Sequence, residues 1–195
     1  MKYNDIIEVQ VTTDVADFAA EPLTLDQVKR HLNLLFDTSG SAQFDDDDTY
    51  LEELITQCRE ALEQYLGISM AEKVYKAILR NECGGVELPF GPVTVVTSVK
   101  NKDGEDLTSG QTYQLRGNKF KWFEYPCSDY LEVDYIAGYD PTTIPKGLQR
   151  ALLEEIAFRY NNRGDQTNKL AGENIGLSQG AIELASRYSR KSIVA

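Results

Sequence analysis

The feature that most constrains this chain is a change of hydrophobic period, from helical to alternating and back to helical. Leu25, Val28, Leu32 and Leu35 recur at spacings of three and four, as do Leu51, Leu54, Ile55, Cys58, Leu62 and Tyr65. Each run therefore places its apolar side chains on one face of a helix. From about Lys73 apolar and polar residues alternate, as in Leu131, Val133 and Tyr135 interleaved with Glu132 and Asp134, the pattern of strands with one face inward and one in water. At Leu148, Leu152 and Ile156 the spacing returns to four. A chain that switches twice in this way is expected to fold as α+β. The expected architecture is a small helical bundle, made of a helical hairpin plus a long C-terminal helix, with an inserted small antiparallel β lobe.

Local signals set the boundaries. Thr24-Leu25-Asp26-Gln27 and Thr49-Tyr50-Leu51-Glu52 are both capping-box sequences, and Gly67 stops the second helix. Strands are expected at 74–79, 86–88, 93–100, 113–116, 119–123 and 131–135, with Lys102-Asp103-Gly104 and Gly117-Asn118 as hairpin turns. A third helix runs from about Pro145 to Tyr160, and residues 181–190 form a short terminal helix. The expected organisation is an extended arm over residues 1–22, a helical bundle from residues 23–72 and 138–163, the β lobe at 73–137, and a C-terminal tail at 164–195.

Charge narrows the partners. The net charge is -11, and it is uneven: residues 1–70 carry 4 Lys+Arg against 15 Asp+Glu, residues 71–158 carry 10 against 13, and residues 159–195 carry 6 against 3. Affinity for nucleic acid rests mainly on neutralising phosphates with Lys and Arg, so an acidic front and middle argue against a dedicated DNA-binding protein. An acidic surface facing another protein, or a channel that DNA passes without sticking, fits. No apolar run reaches the length of a bilayer span, and MKYNDIIEVQ lacks the order of a signal peptide. Synthesis in a cytoplasm and no membrane association are expected.

Catalytic chemistry finds no anchor in the residues. His31 is the one histidine, without a triad or ligand set, and phosphate-loop, dinucleotide and zinc-protease motifs are missing from the sequence. Cys58, Cys83 and Cys127 are odd in number and widely spaced, which fits reduced thiols rather than a disulfide framework or paired zinc ligands. The run Asp45–Asp48 lacks the alternating ligands, central glycine and terminal Glu of a calcium loop. A solvated run whose last members stabilise the next helix N-terminus is favoured over a bound cation. Lys119-Phe120-Lys121-Trp122-Phe123-Glu124-Tyr125 could be a stacking platform for single strands, but sheet core or protein interface is favoured. Neither enzymatic activity, cofactor nor metal is expected. Two readings other than a structural part of a larger assembly are a protein-interaction scaffold and a carboxylate hydrolase built on pairs such as Glu52-Glu53 or Glu154-Glu155.

The order of motifs resembles the head–tail connector proteins of tailed bacteriophages. The resemblance is carried by Leu23-Thr24-Leu25-Asp26-Gln27-Val28-Lys29, by Asp48-Thr49-Tyr50-Leu51 with Glu63-Gln64-Tyr65-Leu66-Gly67, and by Val86-Glu87-Leu88-Pro89-Phe90-Gly91-Pro92-Val93. It continues through Val133-Asp134-Tyr135-Ile136-Ala137-Gly138-Tyr139, Ile144-Pro145-Lys146-Gly147-Leu148 and Phe158-Arg159-Tyr160-Asn161-Asn162-Arg163. It implies a structural protein of the virion, made in the bacterial host and placed at the head–tail junction. There it would act as an adaptor in a ring of about twelve copies, a closed assembly of heterologous contacts. Its partners would be its own copies, the portal protein, tail or stopper proteins, and double-stranded DNA passing without tight binding.

Two sets of residues would carry this role. The broad apolar surface of the third helix, Leu148, Leu152, Leu153, Ile156, Phe158 and Tyr160, is the expected subunit interface. The polar tail, with Leu170, Ile175 and Leu177 as apolar anchors and Arg187, Arg190 and Lys191 as charge contacts, is the expected portal-docking segment.

Overall fold

The computed structural model describes residues 6–11, 21–34, 47–80, 85–108, 113–117, 121–124, 130–163 and 176–189. Helices and antiparallel sheets alternate along the chain in the expected α+β order, in two compact units: residues 1–20 with 67–142, and residues 21–66 with 143–195. No helix among the described residues is long and apolar enough to cross a membrane.

The first unit holds the seven strands found among the described residues: β1 (Ile6–Val11), β2 (Lys73–Arg80), β3 (Val86–Glu87), β4 (Val93–Asn101), β5 (Gln114–Arg116), β6 (Trp122–Glu124) and β7 (Tyr130–Ala137). They form a four-stranded antiparallel sheet in the order β1-β2-β7-β4 and a three-stranded one in the order β3-β6-β5. Central β7 shows why this segment is a strand: Leu131, Val133, Tyr135 and Ala137 are buried while the residues between them stay half-exposed. On the wet face Lys76 pairs with Glu132 at 3.3 Å and Asp134 at 3.8 Å. On the dry face Tyr75 stacks against Phe90 and Tyr135, with ring centroids 5.2 and 5.6 Å apart. The Tyr135 hydroxyl donates to the Pro89 carbonyl at 3.0 Å, so the buried polar atom keeps a partner.

Two sequence expectations bear on this unit. Within the stretch expected as an extended arm, Ile6–Val11 is extended and pairs along β2 as an edge strand. In the aromatic-basic stretch, Phe123 is fully buried against Tyr113, whereas Trp122, on the other face of β6, is 38% exposed. Lys119, Phe120 and Tyr125 lie outside the described residues.

The second unit contains α1 (Leu25–His31), α2 (Asp48–Leu66), α3 (Lys146–Asn161) and α4 (Gln179–Ala185), the last followed by a 3₁₀ turn at Ser186–Tyr188. The first capping box forms as written: the Gln27 amide donates to the Thr24 hydroxyl, and the Thr24 amide to the Gln27 side chain at 2.9 Å. The second does not. The Leu51 amide donates to the Asp47 carbonyl at 2.9 Å, which puts Thr49 inside the first turn of α2. An aspartate before the helix start serves the positive helix end better than a threonine two residues later, and Asp48 is further fixed by an ion pair with buried Lys29. Leu51, Leu54, Ile55, Cys58, Leu62 and Leu66 are buried along α2, but Tyr65 is 47% exposed.

Candidate assembly surface

α3 organises the helical unit, and its circumference divides cleanly. At about 100° per residue, Leu148, Ala151, Leu152, Glu155 and Ile156 project into one arc, and all are 0% exposed. Leu148, Leu152 and Ile156 therefore do not present a surface to a neighbour, contrary to the sequence expectation. They are enclosed by their own unit, and an enclosed side chain has no area left to bury a second time. Leu153 and Tyr160 stay half-buried on one shoulder of the helix. Phe158 is 37% exposed and sits on the other shoulder, about 140° round from Leu153. Half-buried Ala157 and the Arg150–Glu154 ion pair lie between the shoulders. The outward face is thus apolar at both margins and charged along its middle.

The arc between Phe158 and the core is covered by α4. Gly147, Ala151 and Glu155, spaced four residues apart, make a stripe with little side-chain bulk at one end and a carboxylate at the other. A Cβ on Gly147 would lie 2.5 Å from the Tyr188 hydroxyl, so a larger residue there would have to displace the Tyr188 ring. At the opposite end the buried Glu155 carboxylate accepts from the Ser178 amide at 2.7 Å and from Arg159 Nε at 2.8 Å. The Ser178 side chain caps α4 in turn, accepting from the Ala181 amide. Ala181 and Ala185 are 0% exposed. The two helices run antiparallel at close approach, which small residues on both sides permit.

A second cluster ties the start of α2 to the end of α3. The Arg163 guanidinium forks onto Asp47, with Nη1 donating to Oδ1 at 3.0 Å and Nη2 to Oδ2 at 2.8 Å. It lies over the rings of Tyr160 and Tyr50, 4.1 and 4.2 Å from their centroids, and the Tyr160 hydroxyl also donates to Asp47 at 2.8 Å. Arg163 holds the Asp47 carboxyl below its ordinary range, while burial and the bond to Asp47 push the Tyr160 hydroxyl up. Two members of the aspartate run are therefore committed, Asp47 to Arg163 and Asp48 to Lys29. Asp45 and Asp46 lie outside the described residues, and no metal-ligand cluster occurs among the described residues.

The remaining polar interior is also structural. Buried Arg59 binds Glu21 at 2.9 Å and Glu63 at 2.8 Å. Cys58 is buried, and burial pushes its thiol up to about 12, which leaves it protonated and unreactive at neutral pH. Of the tail residues, Leu177 is half-buried and Arg187 exposed, and Leu170, Ile175, Arg190 and Lys191 lie outside the described residues. The sequence reading gave Asp47, Gly147, Glu155, Ala181 and Ala185 no part in packing one helix on another. The signal for Gly147, Ala181 and Ala185 was a small-xxx-small spacing, Gly147 with Ala151 and Ala181 with Ala185, on two successive helices; none marked Glu155. Nothing local announces Asp47 as the partner of Arg163.

The fold and this surface can now be set beside known proteins. Comparison with curated proteins gives no match. Among solved structures, a chain from the neck of an empty gene transfer agent (GTA) particle computed with C6 symmetry superposes with a TM-score of 0.69 at 18% identity, over 94% of this chain and 95% of that one. A chain in the virion of the native GTA particle gives 0.69 at 19% identity with the same coverage. One in the neck of the native GTA particle computed with C12 symmetry gives 0.62 at 15%, again with the same coverage. These likenesses establish a shared fold. The sequence itself matches the profile of the phage gp6-like head-tail connector proteins over residues 22–125. That span covers more than half of the chain, from the capping box of α1 through β6, and the protein is a member of the phage gp6-like head–tail connector family.

Proposed function

We propose that this connector closes into a ring beneath the portal at the capsid vertex, hands the head on to tail or stopper proteins, and leaves a passage for double-stranded DNA. It does so as a structural part of the virion, without catalytic chemistry, after synthesis in the bacterial host. The observation that carries the reading is the family match over residues 22–125. The presence of similarly folded chains in necks of C6 and C12 symmetry supports a cyclic arrangement, with twelve as the favoured copy number.

Ring closure needs two different patches on each copy. The outward face of α3 supplies one of them, with Leu153 and Phe158 as apolar margins and Tyr160 beside Leu153. Leu153→Asp is expected to leave the monomer folded, since Leu153 is only half-buried, and to lower the ring population at least tenfold by mass photometry. A variant that assembles as the parent does would remove α3 from the interface.

Portal docking is assigned to the C-terminal tail, with Leu177 and Arg187 as its described contacts. Arg187→Glu reverses an exposed charge and is expected to weaken co-purification with the portal protein. Removal of residues 165–195 should abolish it, although that truncation also bares the α3 stripe. Undiminished portal capture by both variants would refute the assignment.

A further inference from the structure

The docking of α4 on α3 carries an inference that rests on the ring reading above and deepens it. The interface is specified at three points: Ser178 on Glu155, Ala181 and Ala185 in the buried seam, and Tyr188 over Gly147. α4 has seven residues, and a helix that short does not persist in water by itself. It exists because an α3 stripe receives it, and nothing in the three contacts requires that stripe to belong to the same chain.

The connection decides between the two sources. Residues 162–177, sixteen in all, join α3 to the Ser178 cap. Ser178 touches Glu155, six residues before the end of α3, so the connection needs to travel only about 10 Å back along the helix. Antiparallel helices in a bundle are ordinarily joined by roughly two to eight residues. Sixteen residues can extend to roughly 50 Å, and a unit the size of the helical one, residues 21–66 with 143–195, folds to a body about 30 Å across. The excess length is unnecessary for docking at home and sufficient to reach the next copy in a ring. Once two copies are side by side, the local concentration of a tethered helix is of millimolar order, enough to permit exchange of an interface identical in both arrangements.

We infer that in the assembled ring α4 of each copy docks on the Gly147–Ala151–Glu155 stripe of its neighbour. Each copy thereby completes the helical unit of the next, and the exchanged helices lace the ring together.

The test uses the full chain in its assembled form, with Cys83→Ser and Cys127→Ser as background and buried Cys58 retained. Gly147→Cys with Tyr188→Cys then places one thiol on each helix at the same end of the seam, and a short bismaleimide joins them. The expected result is a ladder of covalent dimers, trimers and higher species on a denaturing gel, absent from either single-cysteine chain. A ring in which every cross-link runs as monomer overturns the exchange and leaves the ring reading standing; failure to form a ring at all overturns both. A second chain lacking residues 166–173 tests the same point without cysteines. Its eight remaining connecting residues still reach roughly 27 Å, enough to dock at home but not across copies. Ring assembly should then need at least tenfold more protein, and assembly at the parental concentration overturns the inference.

Discussion

An arginine fixed by a two-toothed carboxylate contact and two phenol faces has no equivalent among the other side chains. An ammonium in place of Arg163 could satisfy one oxygen of Asp47 but could not fork onto both while staying over the Tyr50 and Tyr160 rings. Arg163→Lys is therefore expected to behave more like Arg163→Ala than like the parent in urea unfolding. The acid limb gives an independent reading. The Asp47 carboxyl is held below its ordinary value by Arg163, so its contribution is fully present above the unfolded pKa. It is lost as pH falls through the lowered folded value. Between about pH 5 and pH 2 the parent should lose stability more steeply than Arg163→Ala, whose Asp47 has no cation to hold it ionised. Parallel unfolding midpoints across that range would sink the assignment. Gly138 is a second residue without substitute. Its φ is 126°, and a Cβ there would stand 2.1 Å from the Ala71 carbonyl oxygen. Gly138→Ala should destabilise the sheet unit by about 2 kcal/mol or more, read by thermal unfolding.

Among the elements, α3 separates what its own unit needs from what an assembly can use. Leu152→Ala opens a cavity in an arc with no exposure and is expected to cost about 2–5 kcal/mol in chemical unfolding, whereas Leu153→Ala, one position on, should change folding stability by well under half of that. The spacing of four at Leu148, Leu152 and Ile156 identified the helix and its apolar stripe, but it carried no information on whether the stripe faces the same chain or another. That depends on what packs there, and α4 and α2 come from opposite directions in sequence. The strands of the sheet unit were legible because burial on one face imposes a period of two that each segment shows by itself. β1 was not, since an edge strand with a short, weak alternation looks like any extended segment until β2 is known to lie beside it. The start of α2 slipped for a related reason. A threonine capping box and an aspartate run compete for the same helix end, and Lys29, which holds Asp48, lies 19 residues earlier. The clasp between Asp47 and Arg163 spans 116 residues, a pairing that only the packed helices specify.

For the whole molecule the governing quantity is charge. Glu52, Glu53 and Glu60 are exposed on α2, and the chain carries a net charge of -11. Twelve such copies in a ring would surround the axis with a strongly negative surface. Binding to duplex DNA gains its affinity from cations released as Lys and Arg neutralise phosphates. A surface with carboxylates in those positions gains nothing from that release and repels the duplex instead. Duplex DNA passing through such a ring, as proposed, would therefore meet no well in which to lodge. The assembled protein is expected to bind duplex DNA more weakly than about 10⁻⁴ M at physiological salt, the lower edge of ordinary non-specific binding. Replacing Glu52, Glu53 and Glu60 by Lys changes the charge of each copy by six, and should bring measurable binding that falls steeply as salt rises, provided these residues face the passage. Filter binding across a salt series on both proteins separates the cases. Tight binding by the parent would contradict the repulsive channel, and an unchanged charge-reversed variant would place α2 on the outside of the ring.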